Sequence, residues 1–328
     1  MKPSLPPNGI LGTRREFLCT AGALAVGAAF ARSPLVATEP APTMQIGILL
    51  ATFVRPSLQQ RLDAAKANGT LHVQLSLDCA GIAAMPDEIP AGLAERIRTE
   101  SAVRGITVAS LGGTFNMAHP EAEHRTTGLR RLRVLAALAK ELKIPRIHIC
   151  SGTRNRQSMW LRHPDNTTPE AWKDMVACVR EAADIARQAG VVLGVEPEVN
   201  NVVDSALKAR RLMDEIGSPH LKITMDAANL FHAGQLPRMS EVLDEAFALV
   251  GKDVVMAHAK DLDRDGDAGH KAAGEGKLDY ERYMALLHKS GFTGPVFLHG
   301  LSEAQVPGCV AFVRGKLAQA VAKSGGRV

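Results

Sequence analysis

Four apolar runs in this chain end in a residue that can ligate a metal. Glu196 closes VVLGV, Asp226 closes LKITM, His258 lies near the end of VVMAHAKD, and His299 closes GPVFL. A short apolar run ended by a turn signal reads as a buried parallel strand. A charge at the carboxyl end of such a strand does not serve packing, because an unpaired buried carboxylate costs several kcal/mol or more. Two carboxylates and two imidazoles form a donor set that suits Mn, Zn, Fe or Co better than Mg or Ca. Singly, each residue has an ordinary explanation. A Glu before Pro, or an Asp before Ala-Ala-Asn, can cap a helix, and a His on an apolar strand is commonly a satisfied core residue. Their shared place at the same end of four successive strands singles out the set as a metal site.

The elements that must carry these residues alternate along the chain. Strands are expected at 44–50, 71–77, 106–113, 145–152, 191–196, 221–226, 253–260 and 294–299. Helices are expected at 56–68, 91–104, 121–142, 168–188, 204–216, 239–250, 279–290 and 303–323. Pro56 opens its helix and Gly69 follows its end; Gly105, Gly190 and Gly217 close three others, and Thr168-Pro169-Glu170 caps the one that Gly190 closes. Strands alternating with helices of this length imply parallel crossovers. Eight such units predict a single-domain (β/α)8 barrel, with its active site at the carboxyl ends of the strands. A doubly wound sheet would carry a glycine-rich phosphate turn after its first strand. LLATFVRP has none.

The chain has 328 residues, 46% hydrophobic and only 4% aromatic, so its core is aliphatic. Of the net charge of +5, Lys2, Arg14, Arg15 and Arg32 against Glu16 carry +3. The remaining charge of about +2 is too weak to argue for nucleic acid or an anionic surface. Thr13-Arg14-Arg15-Glu16-Phe17-Leu18 is a twin-arginine export signature, and an uncharged run follows to Ala31. That run has 14 residues, short of the about 20 that span a bilayer. Ala29-Phe30-Ala31 offers a cleavage site, with Ala37 as a second. The expected organisation is a signal peptide over 1–37, a Pro-rich linker over 38–43 and the barrel over 44–328. Export to the periplasm follows, with no membrane anchor after processing. Cys79, Cys150, Cys178 and Cys309 form no CxxC pair and are expected to be buried thiols.

The constellation resembles the sugar phosphate isomerase/epimerase family, the xylose isomerase-like barrels, over essentially the whole chain after the leader. In that family a divalent metal is held by a Glu after strand five, an Asp after strand six, a His on strand seven and a Glu after strand eight. Glu196, Asp226 and His258 match the first three. Arg264, six residues beyond His258, matches a substrate-gripping Arg, and 273–279 (AGEGKLD) matches the loop before the seventh helix. There are two departures. Asn229 stands where the epimerases carry a His, and His299 stands in place of the fourth-ligand Glu. Glu303 could reach the rim instead, although a place in the first turn of the last helix suits it better.

The resemblance implies a metal-dependent isomerase or epimerase. It would remove a proton beside a carbonyl through an enediolate, with Glu196 and His299 as the catalytic pair. The cofactor is one divalent ion, Mn preferred, with Zn, Co, Fe and Mg as the other candidates. The substrate is a small carbohydrate held by Arg264, Lys260 and Asn229. Asn116 and His119 in the loop after the third strand, and Arg154 and Trp160 in the loop after the fourth, are further candidates. That fourth loop, about 152–168, is long enough to be a lid. Proton loss beside a ketone could also expel a glycosidic oxygen, so a lyase or hydrolase of 3-keto glycosides is the alternative. A non-catalytic sugar binder has no need of a Lewis acid, and a metal-cluster endonuclease would want more ligands and a basic groove. A homo-oligomer is compatible with the composition.

Overall fold

The computed structural model describes residues 44–325. The expected export signature, cleavage sites and linker lie outside the described residues. Eight parallel strands close into a ring: β1 Gln45–Leu49, β2 His72–Leu75, β3 Thr107–Gly112, β4 Arg146–Cys150, β5 Val192–Glu196, β6 Leu221–Asp226, β7 Val254–Asp261 and, after a short added strand β8 (Lys271–Ala272), β9 Pro295–Leu298. Each pairs with the next in the ring, and β9 lies between β7 and β1. Helices α1 Leu58–Ala67, α2 Leu93–Ala102, α3 Ala122–Leu142, α4 Pro169–Ala189, α5 Ala206–Ile216, α6 Met239–Val250, α7 Tyr280–Lys289 and α8 Val306–Gly325 alternate with the barrel strands. This is the expected (β/α)8 barrel, with element ends within three residues of the expected ones. No helix among the described residues is long and apolar enough to cross a membrane.

Local chemistry explains where the helices start and stop. The Thr168 hydroxyl accepts from the amide of Ala171 and Pro169 fills the first turn of α4; Gly190 closes that helix in the left-handed region. Ser205 and Gly217 bracket α5 in the same way. Asp279 caps α7 through the amide of Arg282.

Period-two alternation divides each strand between two environments. Ile147, Ile149, Leu193, Val195, Ile223, Met225, Val296 and Leu298 are buried in the large shell between the strands and the helices. Their neighbours His148, Cys150, Gly194, Glu196, Thr224, Asp226, His258 and Phe297 belong to the opposite face. Ala109, Met256 and Phe297 make a small separate apolar cluster, the floor beneath the polar groups. The four expected thiols are free and buried.

The β8 strand was not expected. It forms because the segment after β7 folds back antiparallel on Lys260 and Asp261. The Asp261 carboxylate fastens it, accepting from the amides of Gly274 at 3.0 Å and Leu278 at 2.9 Å. The AGEGKLD motif is therefore wrapped around a buried carboxylate.

Candidate metal centre and its surrounding cavity

At the carboxyl ends of β5, β6, β7 and β9 four side chains turn to one point. His258 Nδ1 lies 3.7 Å from Glu196 Oε1 and 4.0 Å from Asp226 Oδ2, and His299 Nδ1 lies 3.9 Å from the same Asp226 oxygen. Glu196, Asp226 and His258 are fully enclosed, whereas the His299 side chain is 34% exposed at the mouth. Asp226 Oδ2, His258 Nδ1 and His299 Nδ1 are buried atoms without a hydrogen-bond partner. Buried polar atoms are almost always paired. Three that lack partners and face each other across about 4 Å fit a shared cation. Asp226 also serves the expected capping role, with its other oxygen: Oδ1 accepts from the amide of Ala228 at 3.1 Å.

Surrounding groups hold these four in place. Asn229 Nδ2 donates to Glu196 Oε1 at 2.7 Å, and its own oxygen accepts from the amide of Gly269. His258 Nε2 is 3.2 Å from Gln74 Oε1. Because an amide oxygen only accepts, Nε2 carries the proton and Nδ1 presents its lone pair to the centre. Lys260 Nζ lies at ion-pair distance, 3.3 Å, from Asp226 Oδ2. Burial lowers the pKa of His258 to about 4. Burial, with Lys260, takes His299 well below its ordinary value. Both imidazoles are therefore neutral near pH 7, the state that metal ligation requires. Burial pushes Asp226 up, and Lys260 opposes that rise. Burial alone would depress Lys260, but Asp226 and Glu196 outweigh it and its pKa is raised.

A cavity of about 580 Å³ opens over the centre. Glu196, Asn229, His258, Lys260, His299 and Trp160 line it. Trp160 is about half exposed, at the tip of the loop after β4. Toward α4 that loop is held by two contacts: Arg162 donates to the carbonyl of Val199, and Asn166 donates to the carbonyl of Asn200.

Four other expected site residues stand outside this cavity. Arg264 is exposed and meets His270 at 3.0 Å. Arg154 pairs with Asp174 and donates to the carbonyl of Ala118. His119 is buried, stacked on His124. Asn116 Oδ1 accepts from the amides of Ala118 and Thr153, and so shapes the β4 loop. It packs against Gly152, where a Cβ would collide with Asn116 Oδ1 and the φ of +74° favours glycine. Glu303 turns to Arg55 at 2.7 Å, away from the centre.

Three groups at the centre had no assigned role in the sequence. His148 and Cys150 lie two apart on β4, and His148 Nε2 is 3.2 Å from Glu196 Oε2. Their spacing, on a strand whose Ile147 and Ile149 face the helices, was the available signal. Glu198 lines the cavity, nearly fully buried, and its carboxylate makes no hydrogen bond or ion pair among the described residues. Burial first, then the nearby Glu196, raises its pKa to about 8.

Comparison with known proteins places this geometry in context. Over 212 residues the chain is 26% identical to an L-ribulose-5-phosphate 3-epimerase of Escherichia coli O157:H7, covering 63% of this chain and 69% of that one. Its fold matches the apo 3-keto-D-glucoside 4-epimerase of Escherichia coli with a TM-score of 0.62 at 18% identity, over 85% of this chain and 100% of that one. It also matches a xylose isomerase-like protein from Mycobacterium smegmatis in complex with magnesium, with a TM-score of 0.62 at 18% identity, over 80% of this chain and 88% of that one. The family model for the xylose isomerase-like TIM barrel matches residues 62–307, and the chain belongs to that family.

Proposed function

We propose that this protein is a metal-dependent sugar isomerase or epimerase. It would act by removing and returning a proton at the carbon beside a carbonyl. The carrying observation is the convergence of Glu196, Asp226, His258 and His299, with two buried ring nitrogens that have no hydrogen-bond partner and an Asp226 oxygen met only by Lys260 at 3.3 Å. These four residues would hold one divalent ion, Mn in preference to Zn, Co, Fe or Mg. The ion would supply Lewis-acid stabilisation of the negative charge on the enediolate oxygens. The relative acting on L-ribulose 5-phosphate supports the substrate class, a small ketose or its phosphate.

Glu196 is the base in this scheme. Asn229 orients it from one side, and its second oxygen is left to take the proton. His299, at the mouth and neutral, passes a proton on the opposite face through its other nitrogen or a water. Lys260 and Asn229, which line the cavity, would hold substrate oxygens, and Trp160 would cover a sugar face. Arg264 would join them only by a movement of its loop. The apolar Leu49, Met85 and Leu161 line the cavity beside these polar groups.

A second reading, a lyase acting on 3-keto glycosides, is favoured by one feature. The two flanks are a carboxylate and an imidazole rather than two carboxylates. An asymmetric pair suits taking a proton at one centre and giving it at another. Incubation of ketoses and 3-keto glycosides with Mn-loaded protein in heavy water separates the readings. Deuterium at one carbon with an intact skeleton is the expected result. Aglycone release would replace it with the lyase, and tight binding without exchange would overturn both in favour of a binder.

The segment around Arg14 and Arg15 supports export in folded form, with the metal captured in the cytoplasm. Replacing both arginines with lysine should leave the protein in the cytoplasmic fraction. Unchanged periplasmic recovery would contradict the export route.

A further inference from the structure

A second group of ligand atoms gathers at the other carboxylate oxygen of Glu196. His148 Nε2 is 3.2 Å from Glu196 Oε2, Cys150 Sγ is 3.8 Å from His148 Nε2, and Cys150 Sγ is 4.0 Å from Glu196 Oε2. All three residues are buried. Proton accounting shows what these atoms present to one another. Thr224 Oγ1 gives its one proton to the carbonyl of Gly194 at 3.0 Å. His148 Nδ1, 3.2 Å from the same hydroxyl, must then donate to it. His148 Nε2 is left as a lone pair aimed at a carboxylate oxygen. Two acceptors at that distance, out of water, repel each other unless a cation lies between them. The Cys150 thiol has a single proton and reaches either neighbour only at the long limit of a sulfur hydrogen bond.

We propose that His148 Nε2, Cys150 Sγ and Glu196 Oε2 form a second metal site, a thiolate site for zinc-class ions, with Glu196 bridging to the first. Tetrahedral zinc with bonds of about 2.3 Å to sulfur and about 2.0–2.1 Å to nitrogen and oxygen spaces its ligands about 3.3–3.6 Å apart. The observed spacings come within a few tenths of an ångström of that. The Thr224 hydroxyl is the outer partner that fixes the imidazole orientation and tautomer. Ligation replaces the S–H bond with a metal–sulfur bond and releases the thiol proton to solvent, so uptake strengthens as pH rises. Thiolate and imidazole select zinc, iron or cobalt over manganese and magnesium. The two sites therefore differ in preference. Because the ion occupies Glu196 Oε2, zinc here withdraws the oxygen assigned as base and inhibits proton exchange.

Cobalt loading of the full chain tests the site without reference to turnover. Wild-type protein should bind two cobalt ions per chain and show a thiolate-to-cobalt charge-transfer band in the near ultraviolet. Cys150→Ser should bind one and lose the band, with an unchanged circular dichroism spectrum. Asp226→Asn should keep the band while losing the first ion, so failure of the proposed epimerase centre and failure of this site give different results. Absence of the band in wild type, or its survival in Cys150→Ser, would overturn the proposal. Zinc-edge anomalous scattering from wild-type crystals supplies a check that needs no variant. A peak touching Cys150 Sγ is expected, and a fully occupied first site with nothing at the thiol would overturn it.

Discussion

Glu196 is held by Asn229 on one oxygen and approached by His148 on the other, between two clusters of ligands. Its removal should therefore abolish chemistry while sparing the fold. Glu196→Gln keeps the Asn229 contact and should lower solvent proton exchange by about 10³-fold or more, measured by deuterium incorporation. Glu198 makes a different prediction. Its pKa is raised from 4.5 to about 8. A carboxyl group raised in this way imposes no cost while both states are protonated, below its unfolded value. The cost grows as pH climbs toward the folded value. Each tenfold difference in proton affinity between the folded and unfolded states is worth about 1.4 kcal/mol. The metal-free Glu198→Gln protein should therefore match wild type near pH 4.5 and exceed it by a few kcal/mol above about pH 8. Urea unfolding at the two ends of this range reads the difference, and equal stabilities throughout would contradict it. The four converging residues were legible in the sequence because a charge at the end of an apolar strand has few reasons to be there. Glu198 was not. Beyond the strand end, a carboxylate gives no local sign of whether it faces a cavity or water.

The elements matter through the carbonyls and glycines that set the spacing of the rim. Tyr283, on α7, donates from its hydroxyl toward the carbonyls of Met225 on β6 and His258 on β7, at 2.8 and 3.0 Å. Tyr280 does the same for Lys260 at 2.9 Å. The strands that carry Asp226 and His258 are thus tied to one helix. Tyr283→Phe should cost about 1–2 kcal/mol of stability and weaken metal affinity, read by denaturation and by metal titration. On β5, Gly194 leaves the space that Thr224 fills. A Cβ there would stand 2.5 Å from Thr224 Oγ1 and 2.7 Å from Met256 Cε. Gly194→Ala should therefore destabilise by about 1–3 kcal/mol and disturb His148. The strands and helix ends could be read from residue order, since Thr168 and the closing glycines act within a few positions of themselves. The Tyr283 and Asp261 contacts could not be, because each joins segments far apart in sequence. For the same reason the AGEGKLD motif gave no hint that it encloses Asp261. Arg264 shows the limit of spacing alone: its distance from His258 along the chain does not determine which way its loop carries it.

At the level of the whole molecule, the barrel places unsatisfied acceptors and lone pairs at its open end and an apolar floor beneath them. A cation bound at this rim, as proposed, would link metal binding to fold stability. At free Mn of about 100 times its dissociation constant the linkage amounts to about 2.7 kcal/mol. For a domain of this size, chelation should lower the melting temperature by roughly 4–5 °C, read by scanning calorimetry before and after metal is restored. An unchanged transition would mean that the rim binds no ion tightly. The closed parallel ring followed from eight strand–helix units and needed no single contact to be known in advance. What the chain order could not supply was depth, namely which polar residues lie at the metal's level and which lie below it. The most direct test of the central claim is anomalous scattering from manganese-soaked crystals. A peak within bonding distance of Glu196 Oε1, Asp226 Oδ2, His258 Nδ1 and His299 Nδ1 is predicted, and its loss in Asp226→Asn should follow. Ordered density for all four side chains with no peak among them would contradict the account.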